Sequence, residues 1–285
     1  MQLIDGKATA AAIRAELAGE VALHADRAGR KPGLTVILVG DDPASATYVR
    51  NKERACREVG MESEVIRLPA GTSQRKLLAL IDELNARDTV DGILLQLPLP
   101  SGLDSRPCLE RISPGKDVDG FHPENMGRLV LGLPCLAPCT PSGVMEMLRR
   151  YNLSPKGKKA VVIGRSNIVG KPLAIMLGAK GEFADATVTV CHSRTPDIAS
   201  YSREADFLFV AMGSPGFMRG DMVKPGAVVV DVGISVTDKG LQGDCDFDSV
   251  SRVASALTPV PGGVGPMTIA MLLKNTLQAF KDHTS

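Results

Sequence analysis

Apolar residues in this chain fall into short β-branched runs separated by stretches in which they recur every three or four positions. Leu34-Thr35-Val36-Ile37-Leu38-Val39, Val65-Ile66-Arg67-Leu68 and Gly92-Ile93-Leu94-Leu95 read as strands, the first as one buried within a sheet. Between them lie helical patterns. Ile13, Leu17 and Val21 recur at four-residue spacing and predict a helix over residues 7–23. Ser45 is placed to cap a helix that stops at Gly60, and Thr72 or Ser73 a helix through Leu77, Leu80, Ile81 and Leu84. The alternation returns later, with strands at residues 160–163, 187–191, 205–212 and 227–232 and a final helix at 267–280. Such alternation predicts parallel strands joined by right-handed crossovers, an α/β fold. Cys139-Thr140-Pro141-Ser142-Gly143 opens another helix, with Thr140 as cap and Pro141 at the first helical position, and a domain boundary is drawn near it.

The second half holds the most informative stretch, residues 161–173, VVIGRSNIVGKPL. A strand feeding a helix through a Gly/Ser turn aims backbone N–H groups and the positive end of the helix dipole at one point. That is a place for an anion, a dinucleotide pyrophosphate above all. The glycine fingerprint is imperfect: Gly164 fits its first position, Ser166 replaces the second, and Gly170 falls one residue late. After the next strand come His192-Ser193-Arg194, where an NAD site carries a carboxylate for the ribose hydroxyls. A serine and an arginine there, with Arg165 inside the turn, suit a 2′-phosphate and favour NADP over NAD.

Composition narrows the reading. With 285 residues the chain can form two domains. Its 33 basic and 32 acidic residues leave a net charge of +1, and with no tryptophan and no basic run a nucleic-acid surface is not expected. No apolar stretch approaches the roughly 20 residues of a membrane span. The N-terminal stretch, carrying Asp5 and Glu16, lacks a signal-peptide layout. Six cysteines form no C-x-x-C pair, and the closest, Cys135 and Cys139, have no histidine beside them. No metal site is expected, and the thiols read as reduced, in a cytoplasmic protein.

Candidate chemistry lies in the first half. Tyr48 and Lys52, four apart on a predicted helix, share a face. The same spacing also describes a surface lysine folded over a half-buried tyrosine. Gln96 ends an otherwise apolar strand, where an amide faces a site or bonds loop backbone. Asp117 and Asp119 sit in a Gly/Pro loop that favours turn-making aspartates, and His122, before Pro123, reads as a helix cap or packing residue. The glycines within residues 261–266 allow a close approach to a ligand or form a stiffened hinge.

Taken in order, Tyr48-Val49-Arg50-Asn51-Lys52, Gln96-Leu97-Pro98-Leu99-Pro100, Lys116-Asp117-Val118-Asp119-Gly120-Phe121, Pro138-Cys139-Thr140-Pro141, GRSNIVGKP from Gly164, and Pro261-Gly262-Gly263-Val264-Gly265-Pro266-Met267-Thr268 are far more specific than any one of them. The chain resembles the bifunctional methylenetetrahydrofolate dehydrogenase/cyclohydrolase family over essentially its whole length. That resemblance implies a two-domain α/β enzyme of one-carbon metabolism and purine biosynthesis. Residues 1–140 would form a folate-binding catalytic lobe on which 267–285 pack back, and 141–266 a Rossmann-like, doubly wound NADP domain. It implies NADP-dependent oxidation of 5,10-methylenetetrahydrofolate, hydrolysis of the methenyl product to 10-formyltetrahydrofolate, and a homodimer. By the same resemblance Lys52 is the central catalytic group, Gln96 assists it, Tyr48 packs along the folate and Asp119 holds the pterin. Pro261, Gly262 and Gly263 fall on the substrate side, and Gly164, Arg165, Ser166, Ser193 and Ile234 match the NADP contacts.

Two departures are visible: residues 178–185 make a longer helix-to-strand connection, and Ser214 stands where a lysine is expected, which puts a cofactor contact from there in doubt. Two rival readings remain. A short-chain NADP oxidoreductase also uses a Tyr-x-x-x-Lys pair, but its nucleotide turn precedes that pair, whereas here the turn follows it. A non-catalytic NADP-binding regulatory module would have no need of Lys52, Gln96 and Asp119 together.

Overall fold

Strand β1 (Gln2–Leu3) and helix α1 (Gly6–Ala28) precede β2 (Gly33–Val39), the strand on which the first sheet is built. The computed structural model describes residues 1–238 and 240–284. After β2 come α2 (Pro43–Glu58), β3 (Glu62–Leu68), α3 (Gln74–Ala86) and β4 (Gly92–Leu95). β2 lies between β3 and β4, parallel to both, with Val36 opposite Val65 and Leu94. Every residue of β2 is buried, as its apolar run requires. α3 covers one face through Leu77, Ile81 and Leu84, packed on Ile37, Val39, Ile93 and Leu95.

Helix ends differ in part from expectation. α2 begins two residues before Ser45, and its cap is Asp42, whose Oδ2 accepts from Ser45 N at 2.7 Å. Asp42-Pro43 explains the shift: a carboxylate suits the N-cap and the positive end of the dipole, and proline suits the first helical position. Ser73 caps α3 by accepting from Lys76 N. The polar stretch beyond β4 hides two short helices the periodicity did not reveal, α4 (Ser105–Arg111) and α5 (Pro123–Val130), with a single tight turn at Pro114–Lys116 between them. His122 caps α5, its Nδ1 accepting from Glu124 N at 3.1 Å. α6 (Cys139–Arg150) starts a residue before Thr140, which is therefore no cap; its hydroxyl meets that of Thr268 at 3.0 Å.

The second sheet is larger. β5 (Lys159–Ile163), α7 (Gly170–Gly178), β6 (Thr187–Cys191), α8 (Ile198–Ser202), β7 (Phe207–Val210) and β8 (Val228–Asp231) follow in order. A small hairpin of β9 (Ser235–Thr237) and β10 (Gly240–Gln242) comes next, then α9 (Phe247–Ser251), β11 (Ala256–Leu257) and α10 (Val264–His283). The sheet order is β1-β11-β8-β7-β5-β6, with every pairing parallel. Pro266 falls in the first turn of α10, where a missing N–H costs no helical bond. Most of residues 178–185 is exposed, tied back by Asp185 N to Ala179 O at 2.8 Å.

The chain divides into two compact units, residues 11–139 with 269–285 and residues 1–10 with 140–268. The expectation of an unbroken first lobe from residue 1 misses the opening segment. β1 pairs with β11, so the first ten residues belong with the larger sheet. Residues 269–285 do group with the smaller one.

Asp91, fully buried just before β4, fastens the unit built on the three-stranded sheet. It accepts from Arg30 Nη1 and Nη2 at 2.7 and 2.8 Å, from Gly33 N at 2.8 Å, and pairs with His283 Nδ1 at 3.1 Å. The Arg30 guanidinium also lies over the Phe280 ring, 4.7 Å from its centroid. Removing one partner of a buried ion pair leaves the other uncompensated. Asp91→Ala should cost about 3–5 kcal/mol in urea unfolding, while Asp82→Ala, which breaks the exposed pair with Arg111, should cost about 1 kcal/mol or less.

Candidate active site

Three polar side chains converge at the C-terminal end of the smaller sheet. Lys52 sits on α2, whose inner face buries Val49, Ala55 and Cys56. Gln96 is the first residue beyond β4, its amide N–H continuing the ladder to Ile37 O at 2.9 Å. Its Nε2 donates to Leu97 O at 2.7 Å, which turns Oε1 toward Lys52 Nζ, 3.0 Å away. Tyr48, one helical turn before Lys52, remains largely exposed.

Asp119 completes the group. Its loop runs beside β4, where Asp117 bridges Ile93 in parallel. The two aspartates have opposite fates. Asp117 takes the turn-making role: Oδ1 accepts from Phe121 N at 3.2 Å, and Oδ2 from His122 N at 2.8 Å and Asn125 Nδ2 at 2.9 Å. Burial pushes its carboxyl upward, and those donors oppose the shift. Asp119 makes no hydrogen bond or ion pair among the described residues. Burial raises its carboxyl to about 6 against the pull of the nearby Lys52 ammonium.

Sequence reasoning passed over Lys116 as a functional support. Its buried ammonium donates to Leu84 O, Asn85 O and Arg87 O, at 3.3, 2.9 and 2.9 Å, and so anchors the loop's entry on the C-terminal end of α3. A lysine within a loop carries no periodicity, so nothing in the sequence marked it as buried.

The glycine turn after β5 lies in the other unit, at the point where the sheet order reverses, since β6 and β7 flank β5. Gly164 has φ +127, and a Cβ there would lie 2.2 Å from Ala211 O; a Cβ at Gly170 would lie 2.1 Å from Gly164 O. The turn is therefore packed backbone on backbone, as a close approach to a pyrophosphate demands. Ser166 Oγ accepts from Val169 N at 3.2 Å and Gly170 N at 3.4 Å, closing the start of α7. Arg165, Ser193 and Arg194 are exposed, and Ile234, just past β8, is 44% exposed. These residues fit a dinucleotide with a phosphorylated ribose. Pro261, Gly262 and Gly263 also belong to this unit rather than to that of Lys52; Gly262 O accepts from Lys7 N at 2.8 Å. Ser214 N donates to Asp244 Oδ1 at 2.6 Å.

Two sequence-family models match the chain: tetrahydrofolate dehydrogenase/cyclohydrolase, catalytic domain, over residues 4–119, and the NAD(P)-binding domain of the same enzymes over residues 138–284. The chain belongs to the tetrahydrofolate dehydrogenase/cyclohydrolase family. It is 70% identical over 284 residues to the bifunctional protein FolD of Nitratidesulfovibrio vulgaris (strain DSM 19637 / Miyazaki F), covering 100% of this chain and 99% of the relative. The bifunctional FolD enzyme of Campylobacter jejuni has a TM-score of 0.95 at 51% identity, with 99% of each chain covered. The Trypanosoma brucei dehydrogenase-cyclohydrolase, solved with NADP cofactor and an inhibitor, has a TM-score of 0.92 at 43% identity, with 98% of this chain and 97% of that one covered. Matched by both domains of the family and along nearly the whole of its relatives, this chain is a bifunctional methylenetetrahydrofolate dehydrogenase and methenyltetrahydrofolate cyclohydrolase. The short-chain and non-catalytic alternatives have no support.

The raised Asp119 carboxyl makes the stability of the fold depend on pH. Its folded pKa of about 6 exceeds that of an unfolded aspartate, so its contribution to stability is fully present below about 4 and is lost as pH rises through 6. Asp119→Asn should therefore stabilise the fold at pH 7.5, by on the order of 1–3 kcal/mol, and much less at pH 4.5. Thermal melts at the two pH values check the sign.

Proposed function

We propose that this family member oxidises 5,10-methylenetetrahydrofolate with NADP and hydrolyses the product through one side-chain group, Lys52 with Gln96 beside Asp119. The observation that carries this reading is the unpaired Asp119 carboxylate next to an amine already oriented by an amide. A carboxylate accepts two parallel hydrogen bonds from the ring N–H and amino group of a pterin. Tyr48, exposed on the same helix face, supplies a surface for the rest of the folate.

When bound, NADP supplies the hydride acceptor. Gly164 and the start of α7 receive its pyrophosphate, Arg165 and Ser193 its 2′-phosphate, and Ile234 an apolar contact. Loss of hydride from the one-carbon bridge leaves a methenyl cation stabilised by its two flanking nitrogens. No base is needed, and alignment is the main demand on the protein. Hydrolysis asks for more. Water must add to the cation and lose one proton, the ring nitrogen must be protonated, and the remaining hydroxyl proton must leave as the C–N bond opens and the formyl C=O of the 10-formyl product forms. Lys52 is placed to hold the water and move the proton, and Gln96 Oε1 fixes its direction. The reading extends to a homodimer acting in the cytoplasm, and no helix among the described residues is long and apolar enough to cross a membrane.

Lys52→Met tests the division of labour. Cyclohydrolase activity should fall by roughly a hundredfold to ten-thousandfold, as for a lost general acid–base group. Dehydrogenase activity should fall less, and methenyltetrahydrofolate should accumulate, seen by its absorbance. Equal loss of both activities in a folded variant would make Lys52 a substrate-positioning group instead. The cofactor assignment has its own check. Arg165→Ala should raise the NADP Michaelis constant roughly tenfold to a hundredfold with NAD use nearly unchanged; a wild-type preference for NAD would refute it.

A further inference from the structure

The peptide that presents Asp119 is held by a side chain from the far end of the chain. Asn275 Nδ2, on α10, donates to Val118 O at 2.8 Å and to Ala137 O at 2.9 Å, and lies 3.6 Å from Cys139 Sγ. The amide thus joins two carbonyls from separate segments, one immediately before Asp119 and one just before α6. The seam between those segments has no slack: Gly120 has φ +75, and a Cβ there would lie 2.5 Å from Ala137 C and from Pro138 N. Val118 is fully buried, so water cannot replace a lost donor at its carbonyl, and the other donor present is the weak Cys139 thiol at 3.2 Å.

Lys116 and Asp117 fix where this loop enters and turns, but neither touches the Val118–Asp119 peptide. Rotation of that peptide plane sets the direction of the Asp119 side chain. Packing alone gives no reason for an amide at position 275, because its neighbours Leu272, Leu273 and Leu277 are buried apolar residues.

We propose that Asn275 is a positioning residue for Asp119, fixing the Val118–Asp119 peptide so that the carboxylate meets the pterin in one direction. The proposal rests on Asp119 being the pterin-binding carboxylate. It makes the terminal helix part of folate recognition, through a residue that does not itself touch substrate.

The test is Asn275→Ala, with Thr276→Val as control; among the described residues the Thr276 hydroxyl bonds only Leu272 O of its own helix. Asn275→Ala should raise the folate KM of both activities about tenfold, with the dissociation constant for NADP unchanged. Its acid limb in kcat/KM should also move below the wild-type one, because a loosened loop opens the half-buried Asp119 further to water. The charged groups facing that carboxylate, Lys52 and Asp117, remain in place, as does the neighbouring Cys139 thiol. In an Asp119→Asn background, Asn275→Ala should add almost nothing, since its effect passes through Asp119. If Asn275→Ala does not fold, Asn275→Ser, too short to reach either carbonyl, carries the same measurements. A folded variant with wild-type folate KM, an equal loss of NADP affinity, or additive effects in the double variant would each overturn the proposal. If Asp119→Asn itself leaves the folate KM unchanged, the reading of Asp119 fails; if it raises KM and Asn275→Ala does not, only the positioning role fails.

Discussion

The hydrogen bond from Lys52 Nζ to Gln96 Oε1, 3.0 Å long, depends on most of the unit built on the three-stranded sheet and is the contact on which the proposed chemistry rests. Both residues sit on elements that cannot shift cheaply. α2 is fixed by its buried face, and Gln96 follows a strand whose residues are all buried. The amide is further turned by its own bond to Leu97 O. An amine held this way can serve two reactions with different demands, because one needs placement alone and the other needs placement and a proton carrier.

Among the described residues the buried aspartates Asp91, Asp117, Asp231 and Asp244 all have hydrogen-bond partners, whereas the half-buried Asp119 has none. Asp91 and Asp117 are surrounded by donors and act as fasteners. In the other unit Asp244 accepts from Met212 N, Gly213 N and Ser214 N, and Asp231 from Gly233 N, Asp244 N and Cys245 N. Those two hold the loops that follow β7 and β8, the ends from which an open parallel sheet contacts its ligand. Burial raises Asp231 to about 6 as it does Asp119, but Asp231 has backbone donors to offset that cost. Asp119 has none from the protein, and a ligand with two adjacent N–H groups would supply them.

The sequence disclosed these features unevenly, for physical reasons. Buried strands such as β2, β4 and β5 write themselves as continuous apolar runs, and the glycine turn shows because backbone contact at Gly164 and Gly170 excludes a side chain. α4 and α5 stayed hidden because helices of seven and eight residues show too few periods to be seen. The caps expected at Ser45 and Thr140 fall inside their helices, which start at Pro43 and Cys139, since capping types are frequent in every loop. Roles for Lys52, Gln96 and Asp119 came from family resemblance; spacing alone left Tyr48 and Lys52 a possible surface pair. Lys116 and Asn275 left no mark, because what defines them is a set of carbonyls brought to them by distant parts of the chain.

A pH profile of both activities in Gln96→Glu addresses the Lys52–Gln96 pair most directly. A carboxylate at position 96 would favour the ammonium form of its neighbour, so hydrolysis should require more alkaline conditions than in the wild type. Hydride transfer, which moves no proton, should keep its profile. Cyclohydrolase and dehydrogenase profiles that move together, or a cyclohydrolase profile that does not move at all, would contradict the assignment of proton transfer to this pair.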